Sequence, residues 1–359
     1  MADMIDYLLW RGDLAFAQAP LNPVDTLIFA TLSYLRFAGI VPEAPGEDIT
    51  LAAAADALLA APDAGARMRS DRDRELLETA AGTQRFGGVR LLFYRDVFIP
   101  AEDTQFSAVT FLPGDGSAFL AFRGTDNTLV GWKEDCDMAF LESVPAQRLA
   151  QAYTESCGTA MNLPLRLGGH SKGGNLAVYA AAKCDPAVQA RITAVYNHDG
   201  PGFTEHMMTD PGYLRMVPKI HTYVPQSSFF GMLLEREEPH VIIKSHQVGL
   251  MQHDPYSWDV LGADFVPEEA LTPDSRFLDR TLKTWLGGMT PEERGAFFDA
   301  VFGLLMTENA SHPRDVLRLQ NIRAYLKSLK EDDTRRRVIL SELAELVQSA
   351  RQAQHSDEP

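Results

Sequence analysis

The stretch that decides the fold is Leu165-Arg-Leu-Gly-Gly-His-Ser-Lys-Gly-Gly-Asn-Leu-Ala-Val-Tyr-Ala-Ala-Ala-Lys183. A short apolar strand runs into the pentapeptide Gly169-His170-Ser171-Lys172-Gly173, and an Ala-rich helix follows it directly. A G-x-S-x-G pattern between a strand and a helix is typical of a nucleophile elbow, a turn so tight that its two glycines have no room for a Cβ atom. We therefore expect Ser171 at the apex of the turn, with a strained backbone and an exposed Oγ.

The same pentapeptide also occurs by chance, and the alternative is an ordinary Gly-rich turn. The strand before it, the helix after it and a third small residue, Gly174, favour the elbow. In an elbow the N–H of Lys172 points to where an oxyanion would form, and the helix N-terminus adds positive potential. For the side chain of Lys172, a position on the helix surface is favoured over contact with an anionic substrate.

The segments on both sides of the elbow predict an α/β fold. Apolar, β-rich segments lie at 89–94, 106–112, 118–122, 163–168, 192–196, 220–224 and 241–244. The second and third are joined by a hairpin signal, Gly114-Asp115-Gly116, and indicate antiparallel strands. The later segments alternate with helical patterns, which is typical of a doubly wound, mostly parallel sheet.

Both ends of the chain are predicted to be helical. After about residue 270 the strand patterns stop, and Thr290-Pro-Glu-Glu293 has the residues of an N-cap with a capping box. Helices are predicted over 291–306, 313–330 and 333–352. The sequence thus predicts a domain at 1–270, which opens with a helical segment at 1–85, and a C-terminal helical extension at 271–359.

A serine needs a base to become nucleophilic at neutral pH, and the base needs an orienting acid. Asp199 follows the strand that should lie beside the elbow strand, at the edge where the carboxyl ends of parallel strands gather catalytic groups. We favour it as the acid; the alternative is that Asp199 caps the turn formed by Gly200-Pro-Gly202. The next strand ends at Val224-Pro-Gln-Ser-Ser228, without a carboxylate.

Two histidines follow the last predicted strand, His246 and His253. In the chain order typical of such sites, the base comes after the nucleophile and the acid. His253 is favoured because it precedes Asp254-Pro255, a turn-starting pair with aromatic residues behind it. His246 is the alternative base.

An oxyanion hole needs two N–H donors. The N–H of Lys172 is one candidate, by its position after the serine. The second is expected in a loop after an early strand. The segment Ala121-Phe-Arg-Gly-Thr-Asp126 fits, with Thr125 or Asp126 presenting its backbone N–H.

Composition excludes several classes of function. A formal charge of −16 argues against binding to nucleic acid and against electrostatic docking on anionic membranes. Three scattered cysteines without CxxC spacing predict reduced thiols in a cytoplasmic protein and argue against a disulfide framework or a zinc site. No metal and no cofactor are predicted. The N-terminus has no basic n-region and no apolar run is long enough to span a membrane. No feature of the sequence indicates an oligomeric state.

Two segments carry a resemblance to class 3 lipases: Phe122-Arg-Gly-Thr125, and the elbow Gly169–Gly173, where Lys172 stands in place of the usual Leu. More closely, the chain resembles a bacterial family of undefined function in the same lipase-like superfamily. Its landmarks are Asp6-Tyr7, Trp10-Arg-Gly-Asp13, Val24-Asp25, Arg123-Gly-Thr-Asp126, Gly131-Trp-Lys-Glu-Asp135, Asp199-Gly-Pro-Gly-Phe203 and Gln252-His-Asp254.

This resemblance implies an α/β-hydrolase fold with Ser171 as nucleophile, Thr125 in the oxyanion loop and His253 as the histidine. Class 3 lipases usually carry the acid after the strand that here ends at Ser228. Asp199 would then act from the neighbouring strand, which the geometry of a triad allows because the acid only has to reach the imidazole.

The leading hypothesis is a serine hydrolase that cleaves small-molecule or lipid acyl esters through an acyl-enzyme on Ser171. A second hypothesis is a non-catalytic binding or scaffold protein that keeps the hydrolase fold. A third is an acyltransferase or thioesterase, which would use the same residues.

Overall fold

The computed structural model describes residues 1–126, 128–306, 321, 322, 325, 327–329 and 332–355. Within these residues the main feature is an eight-stranded sheet whose spatial order follows the chain. Its strands are β1 (Ile49–Thr50), β2 (Arg90–Ile99), β3 (Thr104–Leu112), β4 (Ala118–Phe122), β5 (Leu165–His170), β6 (Ile192–His198), β7 (Ile220–Pro225) and β8 (His240–Ile243). A small antiparallel ribbon pairs β9 (Val260–Leu261) with β10 (Asp264–Phe265).

The sheet is antiparallel from β1 to β4 and parallel from β4 to β8. The antiparallel opening and the parallel remainder agree with the sequence prediction. The described helices are α1 (Met4–Arg11), α2 (Pro23–Leu32), α3 (Leu51–Ala60), α4 (Asp71–Ala81), α5 (Leu129–Asp137), α6 (Pro145–Ala160), α7 (Lys172–Lys183), α8 (Pro186–Gln189), α9 (Glu205–Met208), α10 (Pro211–Met216), α11 (Pro273–Gly287), α12 (Pro291–Leu305) and α13 (Asp333–His355).

Two apolar clusters cover the two faces of the sheet. Successive residues of β4 alternate between them, because side chains of a strand point to opposite faces: Phe119 belongs to the cluster under α2, and Leu120 to the cluster under α6 and α7. Since the strand order follows the chain, the right-handed crossovers place their helices on one face. The N-terminal helices cover the other face, and the ring centroid of Phe29 in α2 lies 5.2 Å from that of Phe119. The predicted α/β-hydrolase fold class is confirmed.

The C-terminal helices form a smaller apolar cluster around Trp285 and Phe297. As the sequence predicts, Thr290 caps α12 and Glu293 completes the capping box. Phe298 of α12 stacks on Phe140, which joins these helices to the sheet region. The predicted helix at 313–330 falls largely outside the described residues, and the division of the chain at residue 270 stays a prediction.

In the described part of the chain, no helix has both the length and the apolar character needed to cross a lipid bilayer.

Candidate active site

The elbow has the predicted geometry. Ser171 lies between the end of β5 and the start of α7, with φ of 60° and ψ of −134°, a strained conformation for a residue with a Cβ. Its N–H donates to the carbonyl of His198 on β6 over 2.9 Å. A Cβ on Gly169 would overlap the backbone of Gly173, and one on Gly173 would overlap the carbonyl of Phe122. Both positions therefore require glycine, because backbone atoms of a neighbouring segment already occupy the space that a Cβ would need.

The acid and the base predicted from the sequence meet in the structure. The Nδ1 of His253 lies 2.6 Å from the Oδ2 of Asp199. A carboxylate only accepts, so Nδ1 carries the proton and Nε2 is left with a lone pair. Asp199 is fully buried, whereas the His253 side chain keeps 21% of its surface exposed. The hydroxyl of Ser228 donates to the second oxygen, Oδ1, over 2.5 Å.

Asp199 does not cap the turn that follows it. The N–H of Gly200 donates instead to Oδ1 of Asn197, over 2.9 Å. Asp199 itself has a φ of 56°, in the left-handed region, and its N–H donates to the carbonyl of Tyr223 on β7. The carboxylate is thereby directed across the sheet edge towards His253.

The His253 ring lies beside the elbow, between two aromatic rings. His170, the residue before the serine, has its ring centroid 4.6 Å away, and Phe230 has its centroid 4.4 Å away. His170 Nε2 donates to the carbonyl of His253 over 2.8 Å, and its Nδ1 accepts from the Tyr34 hydroxyl over 3.1 Å. Burial lowers the pKa of His170 well below its ordinary value, so the ring stays neutral and keeps this arrangement.

The hydroxyl of Ser171 makes no hydrogen bond to any described residue, and His253 Nε2 likewise has no such partner. A nucleophile and its base often lack an aligned hydrogen bond before substrate binds. The structure thus brings Ser171, Asp199 and His253 to the edge of the sheet where the parallel strands end, and no described side chain or backbone group bonds to the serine hydroxyl or to Nε2.

The alternative base, His246, belongs to another site. Its Nδ1 donates to Oδ1 of Asp259 over 3.1 Å, and its side chain is 41% exposed. Asp259 lies in the same chain segment, beyond the last strand of the sheet. Among the described residues, no hydrogen bond or ring contact joins His246 to the elbow, whereas His253 packs against the His170 ring.

The two predicted oxyanion residues lie in segments that pack against each other, because a Cβ on Gly173 would lie 3.0 Å from the Arg123 backbone in the loop after β4. Lys172 is the first residue of α7, where backbone N–H groups have no intrahelical acceptor. Thr125 lies in the loop after β4, and neither N–H donates to a described residue. The Thr125 hydroxyl donates to Oδ2 of Asp135 over 2.5 Å, which attaches the loop to α5.

The surface position expected for the Lys172 side chain is wrong. The side chain is 1% exposed and forms an ion pair with Glu134, which is fully buried, with 2.9 Å between Nζ and Oε2. The Lys172 side chain reaches the place where α5 packs against β3, and its ammonium bonds to Gln105 of β3 and Glu134 of α5. The sequence prediction contained no helix at the position of α5. Burial raises the pKa of Asp135 to about 6, although the Lys172 ammonium, 3.7 Å away, acts to lower this pKa.

Several residues that shape the site were not identified from the sequence. They are Tyr34, Gln105, Glu134, Ser228 and Phe230. Two sequence signals bear on them: the landmark segment Gly131-Trp-Lys-Glu-Asp135, which contains Glu134, and the strand end at Ser228 without a carboxylate. Among the residues that the structure describes, no group of three or more His, Cys, Asp or Glu side chains is placed to hold a metal ion.

Comparison with solved structures finds a mutant of MDLA from Penicillium cyclopium, a lipase, at 12% identity and a TM-score of 0.38; the match covers 69% of this chain and 86% of that one. Comparison with curated proteins gives no match. The model of the Mbeg1-like family matches residues 80–303, which is more than half of the chain and includes the elbow, the Asp199–His253 pair and both oxyanion residues. The chain therefore belongs to the Mbeg1-like family, a lipase-like family of α/β hydrolases.

Proposed function

We propose that the protein is a serine hydrolase that cleaves carboxylic acyl esters of small molecules or lipids. The observation that carries the proposal is the 2.6 Å contact between His253 and Asp199, held beside a strained serine elbow. A buried carboxylate on one imidazole nitrogen, with the other nitrogen free, is the arrangement that a serine nucleophile requires.

In the proposed reaction, Ser171 Oγ attacks the ester carbonyl carbon while its proton passes to His253 Nε2. The tetrahedral oxyanion accepts hydrogen bonds from the N–H groups of Lys172 and Thr125. When the bond to the leaving alkoxide breaks, His253 returns the proton to it and an alcohol departs. Water, deprotonated by the same imidazole, then attacks the acyl carbon. The bond from that carbon to Ser171 Oγ breaks, His253 returns the proton to Oγ, and the carboxylic acid is released.

The test is labelling with a fluorophosphonate probe, which reacts with activated serines. We expect labelling of the wild type and complete loss of it in Ser171→Ala, with a fall in esterase kcat of about 10⁶-fold. Ser143→Ala, in the loop before α6, serves as the control and should label like the wild type. A folded wild-type protein that takes up no label would refute the proposal and favour a non-catalytic binding protein.

A panel of p-nitrophenyl esters of rising chain length gives the acyl preference. Adding an alcohol or a thioester to the same assay separates the hydrolase from the acyltransferase and thioesterase alternatives. A cytoplasmic location is part of the proposal and is supported by Cys136, Cys157 and Cys184, which are free thiols.

A further inference from the structure

We propose that the buried side chain of Lys172 is a positioning group for the oxyanion site: its ammonium joins the elbow, β3, α5 and the loop after β4, and so fixes the N–H groups of Lys172 and Thr125 relative to each other. This inference rests on the proposed function, because it concerns how the same site stabilises an oxyanion. It assigns a role to a side chain that points away from the reacting atoms.

The ammonium is fully satisfied by protein groups. Nζ donates to the carbonyl of Gln105 over 3.1 Å, to the Gln105 side-chain Oε1 over 2.9 Å and to Glu134 Oε2 over 2.9 Å. An ammonium has three protons, so each of them has an acceptor. A buried charge is tolerated only with this degree of pairing, and the geometry around it is therefore sharply defined.

Glu134 extends the connection to two further elements. Its Oε2 also accepts the N–H of Gln105 on β3 over 3.1 Å, and its Oε1 accepts the N–H of Ala146 at the start of α6 over 2.8 Å. The Glu134 carboxylate thus connects α5, on which it lies, to β3 and to α6. Through the Lys172 ammonium, the first turn of α7 is connected to the same three elements.

The oxyanion loop is attached to the same ammonium in two places. Gln105 Oε1, which accepts from Lys172, also accepts the N–H of Asp126 over 3.4 Å. Asp135, 3.7 Å from Nζ through Oδ1, accepts the hydroxyl proton of Thr125 through Oδ2. A Cβ on Gly131 of α5 would lie 2.8 Å from Thr125 Cγ2, so the helix packs directly on the loop. The ammonium is therefore the group that both attachments of the loop share, and its loss leaves Gln105 and Asp135 without a common partner.

The expected consequence is a loss in the transition state and not in substrate binding. Two aligned N–H donors stabilise the negative oxyanion of the transition state more than the neutral carbonyl of the bound substrate. In known oxyanion holes, removal of one donor lowers kcat by about 10²–10³-fold. A displaced donor should therefore lower kcat and leave KM nearly unchanged.

The test variant is Lys172→Met/Glu134→Gln, which removes both charges of the buried ion pair and keeps the hydrogen bond from Thr125 to Asp135. We expect kcat to fall about 100-fold, KM to stay within about twofold, and the Ki of a trifluoromethyl ketone, which forms a tetrahedral adduct with the serine, to rise in parallel with the loss in kcat/KM. The matched control is Lys183→Met/Asp210→Asn, which removes the ion pair at the other end of α7 and should leave all three constants within about twofold.

A second variant covers the case in which the double variant does not fold. Gln105→Met removes the side-chain acceptor shared by Lys172 and Asp126, while Glu134 and the Gln105 carbonyl stay bound to the ammonium, so the buried ion pair is kept. Thermal melting measures the stability lost with that acceptor. We expect a fall in kcat of about tenfold with KM unchanged.

Folded variants with wild-type kcat and wild-type ketone Ki would overturn the inference, as would a rise in KM that accounts for the whole loss. Labelling of the wild type at Ser171 is measured in the same samples. If the wild type takes up no fluorophosphonate, the proposed function fails and the inference falls with it. If the wild type is labelled and the variants are as active, only the inference fails.

Discussion

Two His–Asp pairs lie close together in the part of the chain that the structure describes, His253–Asp199 and His246–Asp259, and they differ in three respects. The first spans 2.6 Å between loops that follow different strands, whereas the second spans 3.1 Å within one segment. Both oxygens of Asp199 accept hydrogen bonds, but Oδ2 of Asp259 has no hydrogen-bond partner among the residues that the structure describes. Only His253 lies against the elbow, through His170.

The comparison shows that a histidine beside an aspartate does not by itself make a catalytic pair. The carboxylate has to be held on both oxygens, so that it orients the imidazole, and the pair has to lie at the edge of the sheet where the nucleophile is exposed. The His246–Asp259 pair has the same chemistry without that position. It therefore provides matched controls for each residue of the proposed pair.

Replacing the histidines tests the comparison with the largest expected effect. We expect His253→Ala to lower kcat by about 10⁶-fold, because the serine loses its base, whereas His246→Ala should stay within about twofold of the wild type. Steady-state kinetics with one ester, after thermal melting has shown that both variants fold, measures the contrast. Equal losses in the two variants would mean that the site has been assigned to the wrong pair.

Much of this contrast was accessible from the sequence. The elbow could be predicted because it is a local motif: the tight turn at Ser171 requires glycine at 169 and 173. The usual chain order of nucleophile, acid and base then directed the search for Asp199 and His253 to the residues after Ser171. The parallel strands were predictable because each is a short apolar segment followed by a helical one.

What escaped prediction depends on contacts between distant segments. Lys172 looks like a surface lysine because its acceptors, Gln105 and Glu134, are 67 and 38 residues away in the chain. Helix α5, which supplies Glu134, has Gly and Trp residues and little amphipathic pattern, so tertiary packing decides its conformation. For Ser228 the only sequence signal was that its strand ends without a carboxylate. Its hydrogen bond to Asp199 depends on the pairing of β6 with β7, which the sequence does not specify.

Replacing the carboxylates gives the next largest effect. Asp199→Asn should lower kcat by about 10⁴-fold, because an amide that donates to Nδ1 selects the wrong tautomer of His253. Asp259→Asn changes the same group in the other pair and should leave kcat within about threefold. The measurement is kcat/KM across the pH range, together with fluorophosphonate labelling rates. An Asp199→Asn enzyme with near wild-type kcat would remove Asp199 from the mechanism and leave His253 without an orienting acid.

The smallest expected effect comes from removing the second hydrogen bond to the Asp199 carboxylate, which has no counterpart at Asp259 among the described residues. Ser228→Ala removes the hydrogen bond to Asp199 Oδ1 and the acceptor of the Gly231 N–H, so the carboxylate is held on one oxygen only, as Asp259 is. We expect kcat to fall about tenfold with KM unchanged, since a hydrogen bond to a charged group is lost while the serine and its base remain. Ser257→Ala, a buried serine beside the other pair, is the control and should keep wild-type kcat. If both variants are equally active, double anchoring of the carboxylate is not what separates the two pairs.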